Sequence, residues 1–243
     1  MNRYLHKYFG MATIVVAMLL CGRALAGELV LQLTHRVGAL PLTLDSAHYK
    51  NGLGQDFTVT MFKYYLGKIA LIKKDGSVTK AGDYYLVDES DATTKEIRLA
   101  GLPDGDYSGL EFLIGVDSAD NCSGAQSGAL DPANAMFWAW NTGYIFLKLE
   151  GNAPASKSSG HLLEYHIGGY RAPNNCIRRV RMNFKKPLGI RNGKIARLEL
   201  TADVAKILSA KNNIDFSALS SVTDFHHATI VADNYAELFT TGQ

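Results

Sequence analysis

The sequence predicts an all-β protein, an antiparallel β-sandwich-like domain with long loops and one or two short helices. Three observations carry this. Apolar side chains recur at every second position through most of the chain, the period of a half-buried strand. Turn residues interrupt these runs at the regular spacing of a sandwich, and only two segments show helical spacing.

The first strand is read from Leu29, Leu31, Leu33, His35 and Val37, which alternate with Val30, Gln32, Thr34 and Arg36. His35 therefore falls on the apolar face. Phe57 to Leu66 and Lys68 to Lys73 repeat the pattern, followed by the turn Lys74-Asp75-Gly76-Ser77 and by Tyr84 to Val87, which suggests hairpins. Lys95 to Leu99, the turn around Pro103-Asp104-Gly105 and a strand from Gly109 to Val116 come next. Asp117 to Asn134 is rich in Gly, Ser, Asn and Asp without periodicity, so it reads as a long ordered loop of the kind that carries function. Four further strands are expected over Tyr144–Glu150, His161–Ile167, Ile177–Phe184 and Lys194–Ala202. The helices are Val204 to Ala210, with Asp203 as cap, and Ala228 to Phe239.

Residues 1–26 stand apart. Arg3 and Lys7 precede an apolar run from Met11 to Leu20, and Ala24-Leu25-Ala26 precedes Gly27, the three-part layout of a secretory signal peptide. The bulky Leu20 before Cys21 argues against a lipid-attachment site, and the apolar run is short for a membrane span. The expected product is a single domain, residues 27–243, periplasmic or secreted. Cleavage takes three of the 25 basic residues and no acid, so the net charge moves from +2 to −1. Nothing in that balance supplies the electrostatic footprint of a nucleic-acid binder.

After cleavage two cysteines remain, Cys122 and Cys176, an even pair in an oxidising compartment. A disulfide between them is expected; closing some 54 residues, it would contribute about 4 kcal/mol in the chain-entropy picture.

Several chemistries are excluded by their missing motifs. There is no Gly-x-Ser-x-Gly elbow, His-Glu-x-x-His helix, phosphate loop or dinucleotide glycine fingerprint. Asp117, Asp120, Asn121, Asp131 and Asn134 lack EF-hand spacing and read as turn formers. Any metal site should draw on His35, His48, His161, His166, His226 and His227. On an apolar strand face an unpaired imidazole is costly, so His35 is either hydrogen-bonded in the core or aimed into a buried site. His166 is flanked by Gly168 and Gly169, which let other groups approach. His161 and His166, five apart, face opposite sides of a regular strand, and the adjacent pair His226-His227 reads as solvent-exposed.

Both tryptophans, Trp138 and Trp140, sit two apart in Met136-Phe137-Trp138-Ala139-Trp140-Asn141, and on an extended backbone both indoles would share a face. An intact indole offers only an N–H donor. The pair is thus packing, a platform for a ligand in a carbohydrate-binding β-module, or a site of modification.

These residues resemble the MbnP-like family of exported copper-binding proteins, relatives of the surface copper proteins of methane-oxidising bacteria. The matching motifs are His35 to Leu42, Phe57 to Tyr65, Gly115 to Ser118, Ser123 to Pro132, Met136 to Tyr144 and Tyr165 to Gly169. The resemblance implies a non-catalytic β-rich protein in which a diheme MauG-like enzyme oxidises one tryptophan to kynurenine. The aromatic amine so released, with histidines, would bind copper. Carried over by motif, His35 and His166 are the implied ligands and Trp138 or Trp140 the modified residue, with Trp140 preferred. One departure is that the surface copper proteins carry a histidine two positions after the oxidised tryptophan, whereas Ala139, Trp140 and Asn141 follow Trp138 here.

Overall fold

The structure is a computed structural model that describes residues 26–124, 126–138 and 143–242. Nearly all of the expected leader and Trp140 lie outside these residues. The strands run β1 (Gly27–Val37), β2 (Leu40–Pro41), β3 (Tyr49–Lys50), β4 (Asp56–Lys73), β5 (Val78–Lys80), β6 (Tyr84–Asp88), β7 (Glu96–Leu102) and β8 (Gly105–Ile114). They continue with β9 (Phe137–Trp138), β10 (Gly143–Asn152), β11 (Leu162–Gly168), β12 (Arg178–Ile190), β13 (Ile195–Asp203), β14 (Ser221–Val222) and β15 (Phe239–Thr241). Three short helices are α1 (Ser118–Asn121), α2 (Val204–Leu208) and α3 (Ala228–Tyr235).

The strands form two sheets. The smaller has the order β15-β13-β1-β2, with β7 also on β1; the larger has the order β12-β8-β4-β10-β11-β14, with β3, β5 and β6 on β4 and β9 on β10. Alternation decides what fills the space between them. Leu29, Leu31 and Leu33 of β1 share one buried core with Phe62, Tyr64 and Leu66 of β4, and aromatic rings bridge the layers: Tyr64 and Phe112 lie 5.5 and 5.1 Å from Phe239 of β15. The sandwich-like β fold read from the periodicity is therefore the fold observed.

The pairing is mixed where the sequence reading expected antiparallel strands. β1 and β13 are parallel from Glu28↔Ile195 to Arg36↔Asp203, as are β11 and β14. Side-chain period is the same in both arrangements, so it carries no information on strand direction. The two expected strands on either side of Gly67 are one strand, β4, which bends there: Lys68 has φ 48° and its amide bonds Asp83. The helix expected over Ala228 to Phe239 stops at Tyr235 because Phe239 enters β15 opposite Ala202. Within the expected long loop, Asp117 caps α1 through the Asp120 amide and Asp131 accepts from the Ala133 amide, as turn formers do.

The expected bridge between Cys122 and Cys176 is not formed; both are free thiols. Cys176 is buried, its carbonyl taken by the Tyr235 hydroxyl, and burial pushes its thiol up to about 12. Cys122 lies on the surface at the end of α1, where the Tyr170 hydroxyl and the Arg171 guanidinium pull its pKa down. One sulfur is committed to the core and the other to solvent.

Candidate functional site

Register across the larger sheet sorts the candidate residues. Tyr64 of β4, Leu147 of β10 and Ile167 of β11 stand abreast, and all three are buried, Tyr64 against Phe239 of the smaller sheet. The next row, Lys63, Lys148 and His166, therefore projects from the opposite, outer face. His35 belongs to the inner side: its ring lies 5.2 Å from that of Phe62 and 5.6 Å from that of Tyr64. The structure thus places His35 and His166 on opposite faces of one sheet, and the ligand pair implied by the family motifs is not brought together.

His35 is fully engaged where it is. Nδ1 pairs with the Glu89 carboxylate and Nε2 with the Tyr64 hydroxyl at 2.8 Å, and its side chain has no exposed surface. Glu89 in turn takes Lys95 at 3.2 Å. Burial, with the Glu89 charge, holds the Tyr64 phenol protonated far above its usual range. Of the two readings of an apolar-face histidine, the hydrogen-bonded core group is the one observed.

His166 is oriented differently. Its Nε2 meets Glu150 of the neighbouring strand at 2.7 Å, and among the described residues no hydrogen bond engages Nδ1. A carboxylate on one ring nitrogen fixes the tautomer and turns the other nitrogen outward, as is common for metal-binding imidazoles. His161, by contrast, lies in a turn with Nδ1 on the Ser156 carbonyl at 2.9 Å.

Trp138 lies on β9, which pairs with the start of β10 through Gly143. Its indole packs on Gly168, two residues along β11 from His166, and is covered by Phe225, whose ring is 5.5 Å away. It is 5 % exposed, so it offers no open face on which a sugar could stack. A Cβ on Gly168 would come within 2.6 Å of the indole. Gly168→Val should therefore displace Trp138, destabilise the protein by about 1–3 kcal/mol and shift its tryptophan emission to the red; urea titration and fluorescence check both.

Phe225 brings a feature the sequence reading left at the surface. The segment after β14 continues beside β11, and His226 and His227 follow directly on the residue that covers Trp138. They are exposed, as expected, and adjoin Phe225 in the chain. Glu89, Glu150, Lys148 and Phe225 were also missed. Their roles come from cross-strand register and from a turn distant in sequence, neither of which local periodicity encodes. Among the described residues, no group of three or more His, Cys, Asp or Glu side chains is placed to hold a metal ion.

Fold and site together define a two-sheet β-protein with a buried histidine–carboxylate pair inside and, at the larger sheet, an outer-face histidine two residues along β11 from the glycine on which a buried tryptophan packs. The chain belongs to the MbnP family, whose model matches residues 26–226. Its fold is similar to that of MbnP from Methylosinus trichosporium, with a TM-score of 0.55 at 15 % identity over 80 % of this chain and 82 % of that one. No curated protein matches the chain.

Proposed function

We propose that this protein is an exported, non-catalytic copper-binding member of the MbnP family, periplasmic or secreted. One tryptophan of the Trp138/Trp140 pair is oxidised to kynurenine by a diheme MauG-like enzyme, and its amine then shares copper with His166. The observation that carries this reading is the packing of Trp138 on Gly168, one side chain along the strand from an imidazole whose Nε2 is held by Glu150. An anilinic amine and a neutral imidazole nitrogen are donors that suit copper, the tightest binder among first-row divalent ions.

A second imidazole comes from the turn His226-His227, beside Phe225, rather than from His35, whose two nitrogens are occupied on the other side of the sheet. The residues Ala26 to Gly242 include no helix long and apolar enough to cross a membrane among those described, in keeping with a chain released after leader cleavage.

The test is to make the protein with and without a diheme MauG-like enzyme and compare intact mass and copper content. The expected result is the mass increase of kynurenine over tryptophan, in one residue, together with tight copper binding only after coexpression. Protein that stays unmodified and copper-free after coexpression with an active partner overturns the reading. In the modified protein, Glu150→Gln should weaken copper binding by roughly 10- to 100-fold, the usual effect of removing a carboxylate behind a histidine ligand; competition with a chromophoric chelator measures it.

A further inference from the structure

Among the described residues, the segment that delivers Trp138 to β11 has no strand of its own between β8 and Phe137, and its geometry is demanding. Asp131 to Asn134 form a tight turn, and Ala135 closes it with φ 57°, a left-handed conformation that alanine rarely adopts. Such a residue persists only when its surroundings hold it there. The next residue, Met136, is buried, and its carbonyl takes the Ile145 amide, so the error tolerated before β9 is small.

One side chain reaches this point from the sheet. Lys148, directly opposite His166 on β11, donates from Nζ to the Ala135 carbonyl at 2.8 Å. Its other cross-strand neighbour is Lys63, which is itself tied to Asp88 at 2.8 Å. No carboxylate lies within ion-pair distance of Lys148 among the described residues. Burial pulls its pKa down, Glu150 works the other way, and Lys63 adds to the lowering. The fold keeps an ammonium where charge is disfavoured, and its hydrogen bond goes to the backbone of the left-handed residue.

We infer that Lys148 is a positioning residue, a clasp that fixes the turn at residues 131–135 to β10 and so sets where Trp138 sits relative to His166. The use made of that position rests on the copper reading; the clasp itself does not. It differs from the hydrogen bond behind His166 because it acts on the loop, not on the imidazole.

Hydrogen exchange on the full mature chain, in its unmodified form, tests it. Lys148→Met keeps most of the aliphatic stem and removes the donor. The expected result is exchange faster by roughly tenfold, the weight of one hydrogen bond from a charged donor, confined to the amides of Asn134, Ala135 and Ile145. Amides of β8 and β12 should be unchanged, and Lys148→Arg should restore much of the protection. Unchanged exchange at 131–136, or a rise spread over both sheets, overturns the clasp. Lys148→Gln, a shorter donor, serves if the Met variant does not fold and is expected to give the same local rise. In protein carrying kynurenine, Lys148→Met should also weaken copper binding. A local rise in a protein that binds no copper in any form leaves the clasp standing and removes the copper reading alone.

Discussion

Replacing His35 by leucine is expected to lower the free energy of unfolding by about 3 kcal/mol, the upper end for leaving a buried polar group without its partner, with Glu89 keeping Lys95. The loss comes from what is left behind. Glu89 remains largely buried with one fewer hydrogen bond, and the Tyr64 hydroxyl, in a fully buried side chain, loses the partner on its only polar atom. Copper binding by the modified protein should survive in the folded fraction, since His35 faces away from His166. Urea denaturation followed by circular dichroism gives the first quantity and chelator competition the second. A variant of unchanged stability that binds no copper would reverse the assignment and make His35 a ligand.

The same pair predicts a dependence on pH. Burial works to raise the Glu89 pKa, but the hydrogen bond and charge of His35, with Lys95, outweigh it and hold the carboxyl below its ordinary 4.5. A carboxyl whose pKa is depressed by folding adds stability that is present above the unfolded value and is lost as pH falls through the folded one. The urea midpoint of the native sequence should thus fall as pH drops below 4.5. In His35→Leu that acid limb should be shallower, because the principal lowering partner is gone.

The second large effect is expected at His166. Its replacement by alanine should reduce copper affinity by more than about 100-fold, beyond what loss of a supporting carboxylate produces, while stability changes by no more than about 0.5 kcal/mol, as for a partly exposed site outside the core. Its side chain is 17 % exposed and its hydrogen bond with Glu150 lies on the outer face, away from the core. Copper affinity equal to that of the native sequence would remove His166 from the ligand set.

Period-two alternation was enough to predict strands on β1, β4, β8, β10 and β13, because one face of each is buried and the apolar residues must fall on it. The capping role of Asp203 was likewise local and legible. Register was not. Whether Lys148 stands opposite His166 or Glu164 depends on how β10 and β11 slide, and an isolated strand does not record that. The same limit explains the ligand pair. His35 and His166 each carry a plausible local signature, and only the order of strands reveals that a sheet separates them. The cysteines show another limit: an even count says nothing of where the fold sets each sulfur, and the structure leaves them unbridged, Cys122 exposed and Cys176 buried.

The alternation of Tyr64, Leu147 and Ile167 with Lys63, Lys148 and His166 has an evolutionary meaning as well as a geometric one. Neighbouring residues of one strand answer to separate demands, one side to cohesion of the core and the other to the partly exposed face. Changes on the outer row can accumulate without eroding the core, and the combined effect of substitutions at His35 and His166 should be close to additive. Such a sheet is a scaffold whose outer row can be rewritten one side chain at a time while the architecture beneath it stays intact.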